Sequence, residues 1–403
     1  MAGPGSRFRR ELRAVSRSLS VALLSHLASE ASPTGAERSL ALLAAGLVKR
    51  GHRALVVAPG PWALEPELDA AGVEVRIQHC RVLWMTSYDA ISPPRAAVKG
   101  VRYSLPMSGE RELQRLLSKR APDVVHVNCL PHVRGARAAR RAGIPVVWHL
   151  REILPRSRRR AWFAARVAET AHEIVAVSEA VASWLHDEGL SSNVNIIHNG
   201  VPPMELRQSA GDARIALGVP LDGPVAALFG QILPHKGVLE FVRAGRAAMA
   251  LAPDLRCVIA GPGPFGFVER VRREVESGPN RERFHLLPPR DDPHALLAAS
   301  DIVCLATTAP DPLPRAVLEA MAAGLPVVTF RTGGAPEMVS DGETGFVVDT
   351  ADERAMANRV ARLALDRDLR ATLGAAGRRR ALERFSVERH LERMEQVLTR
   401  AAS

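Results

Sequence analysis

The sequence predicts an α/β protein of two doubly wound, parallel-sheet domains facing each other across a cleft. The first ground is length, since 403 residues exceed what one typical core organises and suit two domains of ordinary size. The second is composition: 47% of residues are hydrophobic but only 4% aromatic. The cores are therefore built from Ala, Val, Leu and Ile, as in sheets covered by helices on both faces. The third is order, because short apolar runs of strand length alternate with helical runs through two cycles.

Residues 1–18 form a basic tail, and the first cycle begins after it. Strands are predicted over 20–26, 54–58 and 73–77, with helices over 36–50 and 66–71 between them. Strands over 124–127, 146–149, 174–177 and 195–197 follow, separated by Arg- and Ala-rich helical segments. The Pro-rich stretch 201–204 marks a boundary, giving a first domain over 19–203 and a second over 204–385. The second cycle has strands over 225–229, 256–260, 284–286, 302–305 and 327–329. The segment 387–399 reads as an amphipathic helix, and 386–403 is expected to pack back toward the first domain.

The net charge of +11 and a sequence pI near 10.5 suit phosphates, anionic lipids or acidic polymers. The Arg-rich runs 134–141 and 156–160 have almost no interleaved aromatics, which argues against nucleic acid. Cys80, Cys129, Cys257 and Cys304 have no paired spacing, which argues against a zinc site or a disulfide framework and for a reducing cytoplasm. The basic start 7–10 and the apolar stretch 19–28 have a secretory look, but Ser25 and His26 interrupt the stretch. It reads instead as the first strand. No run approaches the roughly 20 apolar residues that span a bilayer, so any contact with the inner membrane face is expected to be peripheral.

The clearest chemical cluster follows the strand 302–305. Pro312 and Pro314 keep Asp311 in a loop, and Glu319 lies on the helix that comes next. Amides at a helix mouth suit a phosphate, and carboxylates accept hydrogen bonds from sugar or ribose hydroxyls. In isolation, Asp311 would read as a cap and Glu319 as a surface residue. The turn from Thr332 to Glu337, with its two glycines on the same sheet edge, makes the chemical reading the stronger one. A second cluster, Gly230 to Gly237, contains Lys236 at a helix start, where it can neutralise a departing diphosphate.

These motifs resemble the retaining glycosyltransferase family four, which has the GT-B fold, and the resemblance covers nearly the whole chain. The loop Pro33 to Glu37, with Gly35, resembles the family's glycine-rich loop facing the donor phosphate, and Ile197 to Val201 resembles its interdomain segment. Asp311 and Glu319 resemble its paired acidic residues. The resemblance implies that Glu319 holds the donor's ribose, Asp311 contacts hydroxyls of the transferred sugar, Lys236 binds the diphosphate, and Leu313 belongs to the donor-binding residues. His149 matches a family histidine near that sugar; its structural alternative is a strand-end histidine satisfied by backbone. His126 and Asn128 are expected behind it, Gln231 beside the diphosphate, and Arg290 on the loop facing the base. The implied donor is a UDP- or GDP-linked sugar, used as substrate with no cofactor and no metal. The acceptor is unidentified, whether a glycan, a lipid-linked molecule or a small molecule; the segment 87–105, rich in Pro and small residues, reads either as an acceptor loop or as an ordinary surface loop.

Three departures from the family pattern stand out: Gln231 where an arginine is common, Thr34 in place of one glycine, and Asp311 in place of the longer glutamate. Other readings share some features. The glycines of Gly261, Gly263 and Gly266 match a dinucleotide-binding spacing, but Pro262 and Pro264 remove amides such a loop needs. Asp366 and Asp368 look like a metal-binding pair but fall in a helical pattern, where residues two apart do not face each other. A glycosidase would leave the cation and glycine loops idle. A sugar-nucleotide epimerase or hydrolase, or a weakly catalytic donor-binding subunit, uses the same architecture.

Overall fold

The computed structural model describes residues 17–30, 33–80, 82, 109–290 and 293–403. The proposed acceptor loop 87–105 and most of the basic tail lie outside the described residues.

The first domain carries a seven-stranded sheet in the order β3-β2-β1-β4-β5-β6-β7. Its strands are β1 Ser20–Leu24, β2 Arg53–Ala58, β3 Glu74–Ile77, β4 Val124–Asn128, β5 Val146–Leu150, β6 Glu173–Ala176 and β7 Val194–Ile196. The second domain carries a six-stranded sheet in the order β10-β9-β8-β11-β12-β13. Its strands are β8 Val225–Phe229, β9 Arg256–Ala260, β10 Phe284–Leu287, β11 Ile302–Leu305, β12 Val327–Phe330 and β13 Gly345–Val348. All these pairings are parallel, so both sheets are doubly wound. The sequence reading missed β13. This four-residue strand lies between a turn and a helix, and its pairing with β12 makes it a strand.

In each sheet the chain order reverses at one place, between β1 and β4 and between β8 and β11. Loops leaving the carboxyl ends of strands at such a switch point diverge and leave a crevice, where ligands bind in this class of sheet. Gly35, Lys236, Asp311 and Glu319 all lie on the segments that follow β1, β8 and β11.

The helix Val387–Ala401 is amphipathic, and its buried residues Leu391, Met394, Val397 and Leu398 join a core cluster with Val21, Leu23, Leu40 and Leu47 of the first domain. Burying each of those four side chains is worth about 1.5–3 kcal/mol. Arg50 and His52 bind Glu395 at 2.8 and 2.9 Å along the same interface. The chain thus crosses between domains twice, side by side, where the Val201 amide donates to the Phe385 carbonyl.

Asp366 does not sit inside a helix. It ends the helix Glu353–Leu365 and caps the next, Arg367–Arg384, by accepting from the Leu369 amide. Its carboxylate is occupied as a cap, so the Asp366 and Asp368 pair is a helix start rather than a metal motif. The Gly261 to Pro264 turn packs against the loop after β8, with the Ile232 amide donating to the Pro262 carbonyl at 2.7 Å.

Candidate active site

The loop after β8 ends in a short helical turn whose last residue, Lys236, precedes Gly237 at φ +69°. A Cβ at Gly237 would lie 1.6 Å from the Ala306 carbonyl oxygen, just past β11. Only glycine allows the two loops to touch there. Their contact carries Lys236 to Asp311, Nζ to Oδ2 at 2.5 Å. The turn after β12 supports Asp311 from behind, as the Gly334 amide donates to the Asp311 carbonyl at 2.9 Å.

Pro314 caps the helix Arg315–Ala322 with its φ already set for helix entry, and no side chain satisfies the first amides. Glu319 lies one turn along, and Arg315 donates to its Oε1 from Nε and a terminal nitrogen at 3.2 and 3.1 Å. The same guanidinium reaches Ser39 Oγ in the first domain at 3.4 Å. It passes over Gly35, where a Cβ would stand 3.0 Å from Arg315 Cδ. The carboxyl-end loops of the two sheets therefore meet at these residues.

Gly35 starts the helix Gly35–Lys49 and Thr34 caps it, accepting from the Glu37 amide while Glu37 accepts from the Thr34 amide. Thr34 has φ −69° and ψ 165°, an ordinary extended conformation. Replacing the family's glycine here costs no strain and supplies a cap. Glu37 is fully buried and also accepts from the Ser29 amide, Ser29 Oγ and Trp62 Nε1. That fixes the loop before Gly35.

Other expected residues sit differently. Leu313 is 5% exposed and its side chain belongs to the core, so only its backbone can border a ligand. Gln231 and Arg290 are exposed, Arg290 at the end of the described segment 109–290. His149 has no exposed surface. Its Nδ1 lies 3.1 Å from His126 Nε2, and its ring stacks on His390 of the C-terminal helix at 6.3 Å between centroids. The strand-end alternative, a histidine satisfied by backbone, does not describe it: its Nδ1 faces the His126 and Arg151 side chains. Burial, with the neighbouring Arg151 charge and the other two rings, drives the His149 pKa far below the usual imidazole value. Burial likewise lowers His126 to about 3 and His390 to about 4, so all three rings are neutral at neutral pH.

Three residues that the sequence reading did not single out complete the site. Arg151, directly after β5, donates to Asn128 Oδ1 at 2.8 Å and Asn199 Oδ1 at 2.5 Å, and approaches His149 Nδ1 at 3.5 Å. Burial pushes its pKa down to about 10, and the like charge of Arg315 acts in the same direction. A cation straight after a predicted central strand was the available signal. Arg315 stands midway between Asp311 and Glu319 in the sequence, four residues from each. Glu337, from the turn after β12, caps a helix of the first domain, accepting from the Glu179 and Ala180 amides at 2.9 and 3.0 Å and pairing with His198 at 3.0 Å.

Among the described residues no group of three or more His, Cys, Asp or Glu could hold a metal ion, and no helix is long and apolar enough to cross a membrane. The site is made of carboxylates paired with cations, loop glycines and one uncapped helix start. It can hold hydroxyls and anionic oxygens.

Two parallel-sheet domains whose carboxyl-end loops meet in this way define a GT-B protein. Residues 33–205 match the family described as Glycosyltransferase Family 4, and residues 211–380 match Glycosyl transferases group 1. The chain belongs to this glycosyltransferase family. It is 32% identical over 253 residues to alpha-maltose-1-phosphate synthase of Mycolicibacterium smegmatis, covering 56% of this chain and 62% of that protein. It is also 32% identical over 257 residues to D-inositol 3-phosphate glycosyltransferase of Salinispora arenicola, covering 59% of this chain and 57% of that protein. The matched stretches thus span about three-fifths of these relatives, at 62% and 57%. The crystal structure of Anabaena HepE in complex with UDP-glucose superposes with a TM-score of 0.77 at 24% identity, covering 95% of this chain and 100% of that one. At that identity the likeness speaks to the fold.

Proposed function

We propose that this protein transfers a sugar from a UDP- or GDP-linked donor to an acceptor hydroxyl, with retention of anomeric configuration and without a catalytic metal. The observation that carries the reading is the pair of cation–carboxylate contacts, Lys236 with Asp311 and Arg315 with Glu319, at the switch point of the second sheet and against Gly35 of the first. A nucleoside diphosphate sugar presents the complementary groups: ribose and sugar hydroxyls for the carboxylates, and a diphosphate for Lys236 and the helix-start amides.

In this reading Glu319 accepts from the ribose hydroxyls and Asp311 from hydroxyls of the transferred sugar. Arg290 lies on the base side. The bond from the sugar's anomeric carbon to the phosphate oxygen breaks as the acceptor oxygen bonds on the same face, and the acceptor's proton passes to the leaving diphosphate. Lys236 stabilises the charge that develops there. Buried His149 acts indirectly, by setting Arg151 and the end of β5. The relatives' names suggest that acceptor trials begin with phosphorylated sugars and polyols, and peripheral contact with an anionic membrane is tested alongside.

The test is thermal stabilisation of the purified chain by UDP, GDP and ADP sugars against free nucleotides and NAD, followed by product analysis with acceptors. Stabilisation by one nucleotide series and a glycosylated product support transfer. Release of nucleotide and free sugar without an acceptor points to hydrolysis, and stabilisation by NAD alone overturns the reading.

A further inference from the structure

We infer that Arg315 is a ligand of the donor diphosphate that changes partner on binding: held by Glu319 before the donor arrives, and turned onto the diphosphate once ribose hydroxyls occupy Glu319. This rests on the donor-site reading above.

The first argument is position. Arg315 opens the helix Arg315–Ala322 after the Asp311 loop, and no side chain caps that helix start. It reaches Glu319 one turn on and Ser39 across the domain boundary. Gly35 contributes no side chain at the place where the arginine passes, 3.0 Å from where a Cβ would stand. Any larger residue at 35 would have to displace it.

The second argument is charge. The neighbouring loop offers Gln231, which is neutral, so Lys236 is the one lysine or arginine between Gly230 and Gly237 to meet a diphosphate. Arg315 is close enough to Arg151 to disfavour the charge of Arg151, and the carboxylate holding Arg315 is the one assigned to the ribose. When ribose hydroxyls donate to Glu319, its hold on Arg315 weakens and a guanidinium is left beside the diphosphate. A planar guanidinium with several donors suits phosphate oxygens better than a lone ammonium does.

The test measures the affinities of the full chain for UDP, GDP, UMP and GMP by titration calorimetry, for wild type, R315Q, R315K and S39A, with melting curves to verify folding. R315Q is expected to weaken binding of the preferred nucleoside diphosphate by about tenfold or more, the loss of one charge-assisted contact, and to leave the matching monophosphate roughly unchanged. R315K should fall between R315Q and wild type, and S39A should bind like wild type. If R315Q binds the diphosphate as wild type does, or loses diphosphate and monophosphate equally, the inference is overturned while the donor site stands. If wild type binds no nucleoside diphosphate, the donor-site reading itself fails.

Discussion

Lys236 Nζ stands 2.5 Å from Asp311 Oδ2, joining the loop after β8 to the loop after β11 across the switch point of the second sheet. Removing the charge-stabilising partner of a leaving group typically costs about 100-fold to 1,000-fold in turnover. Lys236→Ala is expected to lower transfer by that order in a steady-state assay, and Glu319→Ala to reduce it strongly by weakening the hold on the donor's ribose. The Lys236 contact is partly exposed, so its loss should cost no more than about 1 kcal/mol of stability. Near-normal turnover in both purified variants would remove these residues from the site.

Gly237→Ala places a methyl against the Ala306 carbonyl at a φ of +69°. Backbone strain and overlap together predict a loss of about 2–5 kcal/mol in denaturant unfolding. Any folded variant should also lose turnover, because Lys236 moves with the loop. A melting point equal to wild type would show that the two loops do not touch in solution.

Thr34→Ala removes the cap of the helix behind Gly35 and should cost about 0.5–2 kcal/mol, whereas Thr34→Gly should cost only a few tenths. Restoring the family's glycine is expected to leave turnover unchanged, since Thr34 is unstrained. A large gain in activity for Thr34→Gly would mean that the threonine obstructs the donor.

The buried trio of His126, His149 and His390 makes stability depend on pH. Burial lowers their folded pKa values, to about 3 for His126 and about 4 for His390, against about 6.5 in the unfolded chain. Below that unfolded value the unfolded chain takes up protons that the folded one refuses, so acid favours unfolding. His126 and His390 should each remove about 2 kcal/mol between about pH 7 and about pH 5, and His149 acts in the same direction. Comparing urea midpoints for wild type and His390→Asn over that range should show a shallower slope in the variant, and identical slopes would place His390 in contact with solvent.

Glu337 ties the domains by capping the helix Glu179–Asp187 and pairing with His198. Glu337→Ala should leave secondary structure intact, cost about 0.5–2 kcal/mol as a lost cap does, and raise the radius of gyration in small-angle scattering. An unchanged scattering profile would assign the domain arrangement to the Val387–Ala401 helix instead.

The sequence by itself determined the two cycles of strand and helix, because apolar runs of four to six residues between helical stretches have one economical solution, the covered parallel sheet. It also put Lys236, Asp311 and Glu319 on the segments that follow predicted strands, the edge where such sheets bind ligands. It could not find β13, which exists by pairing with β12. Nor could it distinguish an open His149 from a buried one: the ring that covers it, His390, comes from the far end of the chain and arrives only when four apolar side chains of the last helix are buried on the first domain. Arg315 and Glu337 were visible as residues, but their partners Ser39, Glu179 and His198 belong to the other domain. A hydrogen bond has a range of about 3 Å, so which distant segments share one is decided by how the two sheets dock and by nothing in the local pattern.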